Sequence, residues 1–208
     1  VVGIYISGHP LDDFRVEMES FCNGDVSVFK SPKEFVNKEI TVAGEITEVE
    51  HRVSRQGKGW AFFILEDYVD SYNFRIFGEE YLRFKHFLTL NNFIYIKTKI
   101  VDGWLNKDTG LRGEPRIQYN NFKLLQDVVK TFAKKISIQL KLEDIKSEKI
   151  KSIKSLLGQH DGSHNLSFVI YDDDEKIMVE MDSEKQTVDI SPTLLNLLEH
   201  NNIFYKLN

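Results

Sequence analysis

The stretch EITVAGEITEVEHRVS, residues 39–54, decides how the middle of the chain folds. Its first apolar positions share one face of a strand and are Ile40, Val42, Gly44 and Ile46. The apolar phase then shifts to Val49 and Val53. Because a strand whose phase shifts must contain a bulge or a strong bend, the stretch predicts one long, bent strand. Such a strand can take part in both sheets of a small barrel.

The residues that follow predict four further strands and a helix. The strands are WAFFILED at 60–67, SYNFRIF at 71–77, NFIYIKTKIV at 92–101 and RIQYNNFKLL at 116–125. The helix EEYLRFKHFL, residues 79–88, comes between the third and fourth strands. Three strands, a helix and two strands, with a bent first strand, is the order of an OB-fold, a five-stranded Greek-key barrel. Barrels of this kind bind oligonucleotides on strands 2 and 3 and through the loops between strands 1–2 and 4–5.

The whole chain is predicted to have three parts: residues 1–38 as a short helix and connector, 39–127 as the barrel, and 128–208 as a second domain. The last part predicts strand, helix, strand, strand, helix and strand, with Ser191 and Pro192 as the N-cap and first residue of the final helix. The predicted fold class is therefore mainly β and α+β, an OB-fold barrel followed by a small α/β domain.

Composition limits the functional classes. The chain has 208 residues, a net charge of −5 and one cysteine, Cys22, which excludes an internal disulfide and suits a reducing cytoplasm. No apolar run approaches the ~20 residues of a membrane span, so no membrane association is expected. The chain begins at Val1 without Met, and we expect it to be a piece of a longer protein.

Two motifs suggest catalysis, and a structural explanation is preferred for each. YISGHPLDDF, residues 5–14, holds Ser7, His9 and Asp12, the residue types of a hydrolase triad. Three residues so close in sequence rarely reach around one another, and the stretch is typical of a helix start. The acidic run YDDDEK, residues 171–176, resembles a Mg²⁺ site but lies where a turn between two strands is expected. We expect no catalytic residue, metal or cofactor.

The hairpin between strands 1 and 2 is the first candidate binding element. It carries Arg52, Arg55 and Lys58, and no acidic residue occurs from His51 to Leu65. Phosphate oxygens favour such charges on a loop, and this loop flanks the usual OB groove. The alternative is a solvated basic turn with no ligand.

An aromatic and cationic surface is expected beside this hairpin. If Ala61 points inward, Trp60 and Phe62 share the outer side of strand 2, where aromatic rings could stack on bases. Packing of the two rings within the protein is the equal alternative. Nearby strands and the strand 4–5 loop supply further candidate cations, which are Arg75, Lys97, Lys99, Lys107, Arg112 and Arg116. The loop also holds Asp102, Asp108 and Glu114, so its summed charge is neutral.

Five stretches carry a resemblance to a known family. YISGHPLDDF resembles a signature of the bacterial DNA polymerase III alpha subunit, and ITVAGEITEVEHRVSRQGKGWAFFILED followed by NFRIF resembles its OB domain. DISPTLLNLLEH and IFYKL resemble the last domain of the same subunit. The turn between strands 2 and 3 usually contains glycine in this family, whereas this chain has DYVDSYNF, a departure that weakens the assignment of Arg75.

The resemblance implies a C-terminal fragment whose catalytic domains, and whose motif for the sliding clamp, lie upstream. It implies that the barrel binds single-stranded DNA and that the last domain binds the clamp-loader subunit tau. The residues assigned to tau are Leu194, Leu195, Leu198, Ile203 and Phe204. Burial of the leucines against the small sheet is the structural alternative.

Two other functional classes stay open from the sequence. In the first, the chain is a protein-interaction module whose OB face binds protein rather than nucleic acid. In the second, it is a hydrolase that uses Ser7 or the acidic run. Titration of nucleic acid against residues 39–127 distinguishes the first class from the DNA-binding hypothesis.

Overall fold

The computed structural model describes residues 8–208, and Ser7 of the candidate triad lies outside them. The chain divides into two compact units after Val128. The strands of the first unit are β1 (Glu39–Val53), β2 (Gly59–Glu66), β3 (Ser71–Phe77), β4 (Phe93–Val101) and β5 (Arg116–Leu124). Its helices are α1 (Arg15–Phe21) and α2 (Gly78–Phe84), and α3 (Val128–Phe132) begins at the division. Short 3-10 turns are Asp12–Phe14, Val26–Lys30, Pro32–Phe35, Lys85–Phe87 and Leu125–Asp127.

The bent first strand is confirmed. β1 pairs antiparallel with β4 over Glu39–Glu45 and with β2 over Glu45–Val53, and a bulge separates Ile46 from Glu48. Within residues 8–208 the sheet order is β3-β2-β1-β4-β5, all antiparallel. With α2 between β3 and β4, this is the predicted OB-fold. Val53 is the exception to the predicted apolar face, because it lies 73% exposed at the hairpin end of β1.

The barrel closes between β3 and β5 through side chains rather than a strand ladder. The Tyr119 hydroxyl donates to the Arg75 carbonyl at 3.0 Å, and the Glu80 carboxylate accepts from the Tyr119 amide at 2.9 Å. Arg83 donates to the carbonyls of Tyr119 and Asn120 at 3.1 and 3.0 Å. Burial raises the pKa of Tyr119 well above 10, so its hydroxyl stays a donor. Side chains of helix α2 thereby provide hydrogen-bond partners for backbone groups of Tyr119 and Asn120 on β5.

The barrel interior is an aromatic and aliphatic core. Alternate residues of β2 and β3 point into it, as predicted, and so do two residues from the preceding connector, Val26 and Phe29. Its side chains with 0% exposure are Val26, Val42, Ile46, Ala61, Phe63, Leu65, Phe74, Ile76, Ile94, Ile96 and Ile100.

His9 and Asp12 lie at the start of a helix. The Asp12 carboxylate accepts from the His9 amide at 2.7 Å and from the Tyr68 hydroxyl at 3.0 Å. The His9 Nδ1 accepts from the amide of Leu11, whose side chain is fully buried. Both side chains therefore organise the backbone at the start of the helical turn Asp12–Phe14, as the structural explanation predicted.

The second unit holds a sheet of order β8-β7-β6-β9 within the described residues. Its strands are β6 (Lys135–Lys141), β7 (His164–Asp172), β8 (Ile177–Val188) and β9 (Phe204–Leu207), and its helices are α4 (Ser147–Leu157) and α5 (Pro192–His200). A 3-10 turn, Leu142–Asp144, follows β6. The β6–β7 pair is parallel and the other pairs are antiparallel. The Ser191 hydroxyl caps α5 by accepting from the Leu194 amide at 3.4 Å, as predicted.

The acidic run is a turn, as its position predicted. The Asp172 carboxylate accepts from the amides of Asp174 and Glu175 at 3.0 and 3.2 Å, and Asp173 forms an ion pair with Lys141 at 2.9 Å. Across residues 8–208 no group of three or more histidine, cysteine or acidic side chains is arranged to hold a metal ion. No helix of the same residues has the length and apolar content to cross a membrane.

Gly44 is required where β1 bends, because a Cβ there would lie 2.3 Å from the Glu66 carbonyl oxygen. We expect Gly44→Ala to lower the free energy of unfolding of the first unit by about 2–3 kcal/mol, since neighbouring backbone must move. Gly24→Ala is the matched control, because its Cβ would meet side-chain atoms at 3.5 Å, an ordinary contact. Denaturant unfolding followed by tryptophan fluorescence measures both. Equal stability of the two variants would contradict the role of Gly44.

Candidate nucleic-acid interface

The outer face of β2 and its two neighbouring strands carries an aromatic and cationic surface. Trp60 is paired across strands with Arg52 on β1 and with Phe77 on β3, and Phe62 is paired with Arg75. Because directly opposed residues point to the same face of a sheet, these five side chains lie together. We call them the β2 patch. Trp60 and Phe62 are half-buried, while the other three are exposed.

The β2 patch is internally packed. The rings of Trp60 and Phe77 stack with centroids 5.4 Å apart and planes inclined by 20°. The Arg52 guanidinium lies 5.5 Å from the centroid of Trp60 and 5.3 Å from that of Phe62. The sequence analysis did not assign Phe77 to the site. The structure shows that its side chain is 55% exposed on β3 and stacks on Trp60. The sequence does contain a signal for this residue, because Phe77 lies two residues after Arg75 and therefore points out of the barrel on the same face of β3.

Arg52 is not an unpaired charge, although the hairpin sequence suggested one. Its Nε and Nη2 donate to the two carboxylate oxygens of Glu50 at 2.5 and 2.8 Å. Glu50 immediately precedes the stretch from His51 to Leu65, which contains no acidic residue. Its side chain points outward from β1 on the same face as that of Arg52. The Arg52 guanidinium therefore lowers the pKa of the Glu50 carboxyl, and the carboxylate raises the pKa of Arg52.

The hairpin tip presents the remaining two predicted cations. The turn is held by the Ser54 amide, which donates to the Lys58 carbonyl at 2.8 Å, and by the Ser54 hydroxyl, which accepts from the Lys58 amide at 3.1 Å. Gly57 adopts φ 75° there, a conformation that glycine tolerates. Arg55 and Lys58 are exposed, and within residues 8–208 no ion pair engages either side chain.

A groove lies between β3 and the loop that joins β4 to β5. Its volume is about 670 Å³. Arg75 and Phe77 line it from β3, and Arg116 and Trp104 line it from the loop side. Tyr119 and Glu80, which close the barrel, lie beneath this same groove. Two arginines and two aromatic rings thus face one concave surface.

The turn between β2 and β3 supports Arg75 despite its lack of glycine. The Asp67 carboxylate accepts from the amides of Val69 and Asp70 at 2.8 and 2.9 Å, and its second oxygen accepts from Val26 at 2.7 Å. An aspartate side chain therefore makes this turn, and β3 keeps the register that places Arg75 outward.

Lys97 and Lys99 do not extend the β2 patch, contrary to the sequence expectation. Both lie on β4, where they pair with Thr41 and Glu39 of β1. In the sheet order, β1 separates β4 from β2. Lys97 also forms an ion pair with Glu39 at 3.0 Å. The sequence showed that these lysines point outward but not that the bent β1 separates them from Trp60.

The three predicted cations of the β4–β5 loop have different surroundings. Arg116 stacks on Trp104, with its guanidinium carbon 3.8 Å from the ring centroid. Arg112 forms an ion pair with Asp102 at 3.2 Å. Lys107 is exposed in the turn. Of the three, Arg116 alone lines the groove.

Four of the five residues assigned to tau are core residues of the second unit. Leu194 and Leu198 have no exposed surface, and Leu195 and Ile203 are 4% and 5% exposed. The helix buries these leucines because they occupy one side of α5, so burial, the structural alternative, is correct for them. Phe204, on the edge strand β9, is 67% exposed. It stays available as a binding residue.

Comparison with known proteins agrees with both halves of this arrangement. Residues 40–125 match the OB-fold nucleic acid binding domain, and residues 136–208 match the C-terminal domain of the DNA polymerase III alpha subunit. The chain resembles the C-terminal region of DNA polymerase III subunit alpha. The resemblance inferred from the sequence is thereby confirmed.

Two relatives match over nearly the whole chain. DNA polymerase III subunit alpha of Buchnera aphidicola subsp. Acyrthosiphon pisum is 23% identical over 201 residues, or 96% of this chain, and that of Pseudomonas fluorescens is 20% identical over 197 residues, or 95%. The chain spans 16% of the length of each relative. Among solved structures, asparaginyl-tRNA synthetase of Entamoeba histolytica has 18% identity and a TM-score of 0.29, covering 45% of this chain and 23% of that one.

The Glu50–Arg52 pair predicts a pH-dependent contribution to stability. A carboxyl whose pKa is lower in the folded chain stabilises that state above its ordinary pKa, and this contribution disappears as the pH falls through the lowered value. NMR titration of the Glu50 carboxyl carbon should therefore give a pKa below 4.5, and Arg52→Gln should raise it towards that value. Lys58→Gln, a control that removes a charge from the same hairpin, should leave Glu50 unchanged. An unaltered Glu50 titration in Arg52→Gln would show that the pair does not form in solution.

Proposed function

We propose that this chain is a non-catalytic accessory region of a replicative DNA polymerase, in which the barrel holds single-stranded DNA and the second unit binds the clamp-loader subunit tau. Its setting would be the bacterial cytoplasm, and the sliding clamp would bind upstream. The groove beside β3 carries the first half of the proposal, because Arg75 and Arg116 face it together with exposed aromatic rings.

Single-stranded DNA suits this surface for two physical reasons. Its phosphates are attracted to cations such as Arg55 and Lys58, which pair with no carboxylate in the part of the chain that the structure describes. Its unpaired bases offer flat faces that stack on aromatic side chains, as on Phe77 of the β2 patch. The net charge of −5 does not oppose such binding, since screening limits distant charges to a Debye length of about 8 Å at physiological salt.

In this proposal a phosphate of the DNA replaces the Glu50 carboxylate as the partner of the Arg52 guanidinium. In the free chain Glu50 orients its guanidinium over Trp60 and Phe62. Glu50 and Arg52 are both exposed, so a phosphate replaces the carboxylate with little desolvation cost. The guanidinium would keep its place over the rings while its donors turn to the backbone of the strand.

The proposal for tau rests on the edge of the second sheet. β9 lies at the edge in the described residues, pairs with β6 and presents Phe204 opposite Gln139. An exposed phenylalanine on an edge strand combines unpaired backbone groups with apolar surface, the two features of strand-addition interfaces. The match of residues 136–208 to the last domain of the polymerase family supports a protein partner there.

The hairpin cations predict the salt dependence of DNA binding. Arg55→Ala with Lys58→Ala should lower the slope of log affinity against log salt by about 1.4, from two phosphate contacts at about 0.7 each. Lys97→Ala with Lys99→Ala changes the net charge equally but away from the β2 patch, and should alter the slope much less. Oligothymidylate binding across a salt series measures both. If the two double variants change the slope equally, the hairpin has no specific role, and if the unsubstituted chain binds no strand, the protein-interaction alternative is favoured.

We expect the Phe204 side chain to contribute to partner binding but not to the stability of the second unit, because it is exposed. Phe204→Ala should weaken binding of tau by about tenfold or more while leaving the thermal unfolding of the second unit unchanged, because the side chain is exposed. Leu198→Ala should instead destabilise that unit by about 2–5 kcal/mol, because it empties a buried site. Point variants are preferable to deletion of residues 192–208, because the deletion removes the exposed Phe204 together with the buried Leu198.

Lys206→Ala is the control on the same strand, and surface-immobilised tau is the probe. Full tau binding by Phe204→Ala would remove this residue from the interface.

A further inference from the structure

Trp104 is a large aromatic side chain of the groove to which the proposed function gives no specific role. It is 74% exposed, on the loop between β4 and β5. Exposure of this extent is unusual for tryptophan, which proteins bury for most of its surface. An exposed ring on a loop that flanks a groove therefore requires an explanation.

The loop holds Trp104 in a defined position. The base of the loop is narrow, because the Gly113 amide donates to the Trp104 carbonyl at 3.0 Å. Gly103 approaches so closely that a Cβ on it would lie 2.1 Å from the Gly113 carbonyl oxygen. Further out, Leu105 and Arg112 form an antiparallel bridge. The ring is thus carried on a small folded hairpin.

Arg116 occupies one side of the Trp104 ring. Its guanidinium carbon is 3.8 Å from the ring centroid, and its Nε donates to the Asp102 carbonyl at 3.4 Å. A guanidinium at this distance is attracted to the π-face and fixes the ring plane. Trp104 stays 74% exposed with Arg116 in place, so most of its surface remains accessible to a ligand.

Across the groove from Trp104, β3 presents Arg75 and Phe77. The groove therefore has an aromatic ring and an arginine on each wall, which is the composition that binds single strands by stacking and charge together. We propose that Trp104 stacks on a base of the bound single strand, and that Arg116 is a positioning residue that holds its ring. This inference rests on the proposed function and adds a residue and a role to it.

A strand without bases separates stacking from other effects. Trp104→Ala should weaken binding of oligothymidylate by about tenfold, the size expected for one base–aromatic stack. The same variant should bind an abasic strand of equal length as the unsubstituted chain does, because that strand has nothing to stack. Leu111→Ala, which removes a 70% exposed side chain from the same loop, is the matched control and should bind both strands normally.

The positioning role of Arg116 has its own readout. Arg116→Lys keeps the positive charge but loses the planar group, so oligothymidylate affinity should fall while the salt slope stays unchanged. In a Trp60→Phe background, Trp104 is the sole tryptophan, since the sequence has two. Oligothymidylate should quench its fluorescence, and the abasic strand should not.

The results distinguish this inference from the proposed function. If the chain binds oligothymidylate but Trp104→Ala behaves like Leu111→Ala, base stacking at Trp104 is refuted and the proposed function stands. If Trp104→Ala weakens binding of the abasic strand equally, the residue only shapes the loop, and the inference again fails. If the unsubstituted chain binds neither strand, the proposed function fails and this inference fails with it.

Discussion

In β1, a bulge between Ile46 and Glu48 lets one strand pair with β4 over its first half and with β2 over its second. The other features of the barrel follow from this arrangement. The bulge changes which residues face outward, so Glu50 and Arg52 reach the same face as Trp60 rather than the core. Gly44 permits the bend, because the carbonyl of Glu66 occupies the place of a side chain there. The position of the candidate interface is therefore set by the backbone of β1.

The charge arrangement of that interface is local. Arg52 is held by Glu50 and lies over two aromatic rings, whereas Arg55 and Lys58 extend into solvent. In the proposed function Arg52 is positioned over the rings before the strand binds, which lowers the conformational entropy lost on binding. In the proposed function the hairpin cations would contribute instead by attracting phosphates, an effect that depends on salt. A cation held over aromatic rings and two exposed cations thus occupy adjacent parts of one surface.

The sequence predicted what depends on periodicity and not what depends on contacts between distant residues. The alternation of β2 and β3 correctly placed Ala61 inward and Trp60 outward. The alternation of apolar and polar residues does not reveal the order of strands in the sheet. The sequence therefore did not show that β1 separates Lys97 from the β2 patch. The leucines of α5 show a similar limit, because a hydrophobic stripe has the same sequence whether a sheet or a partner covers it. Trp104 was missed because the loop's charges sum to zero, a criterion that takes no account of an exposed ring.

The groove exists because the barrel is incompletely hydrogen-bonded. β3 and β5 form no ladder with each other, and Tyr119, Glu80 and Arg83 satisfy the polar groups of this seam instead. A ladder of backbone hydrogen bonds would bring the strands to about 4.8 Å and leave no concave surface between them. Two of these residues, Tyr119 and Glu80, also line the groove, together with Arg75, Phe77, Trp104 and Arg116. Closure of the fold by side chains and the presence of the groove are thus linked, because Tyr119 and Glu80 take part in both.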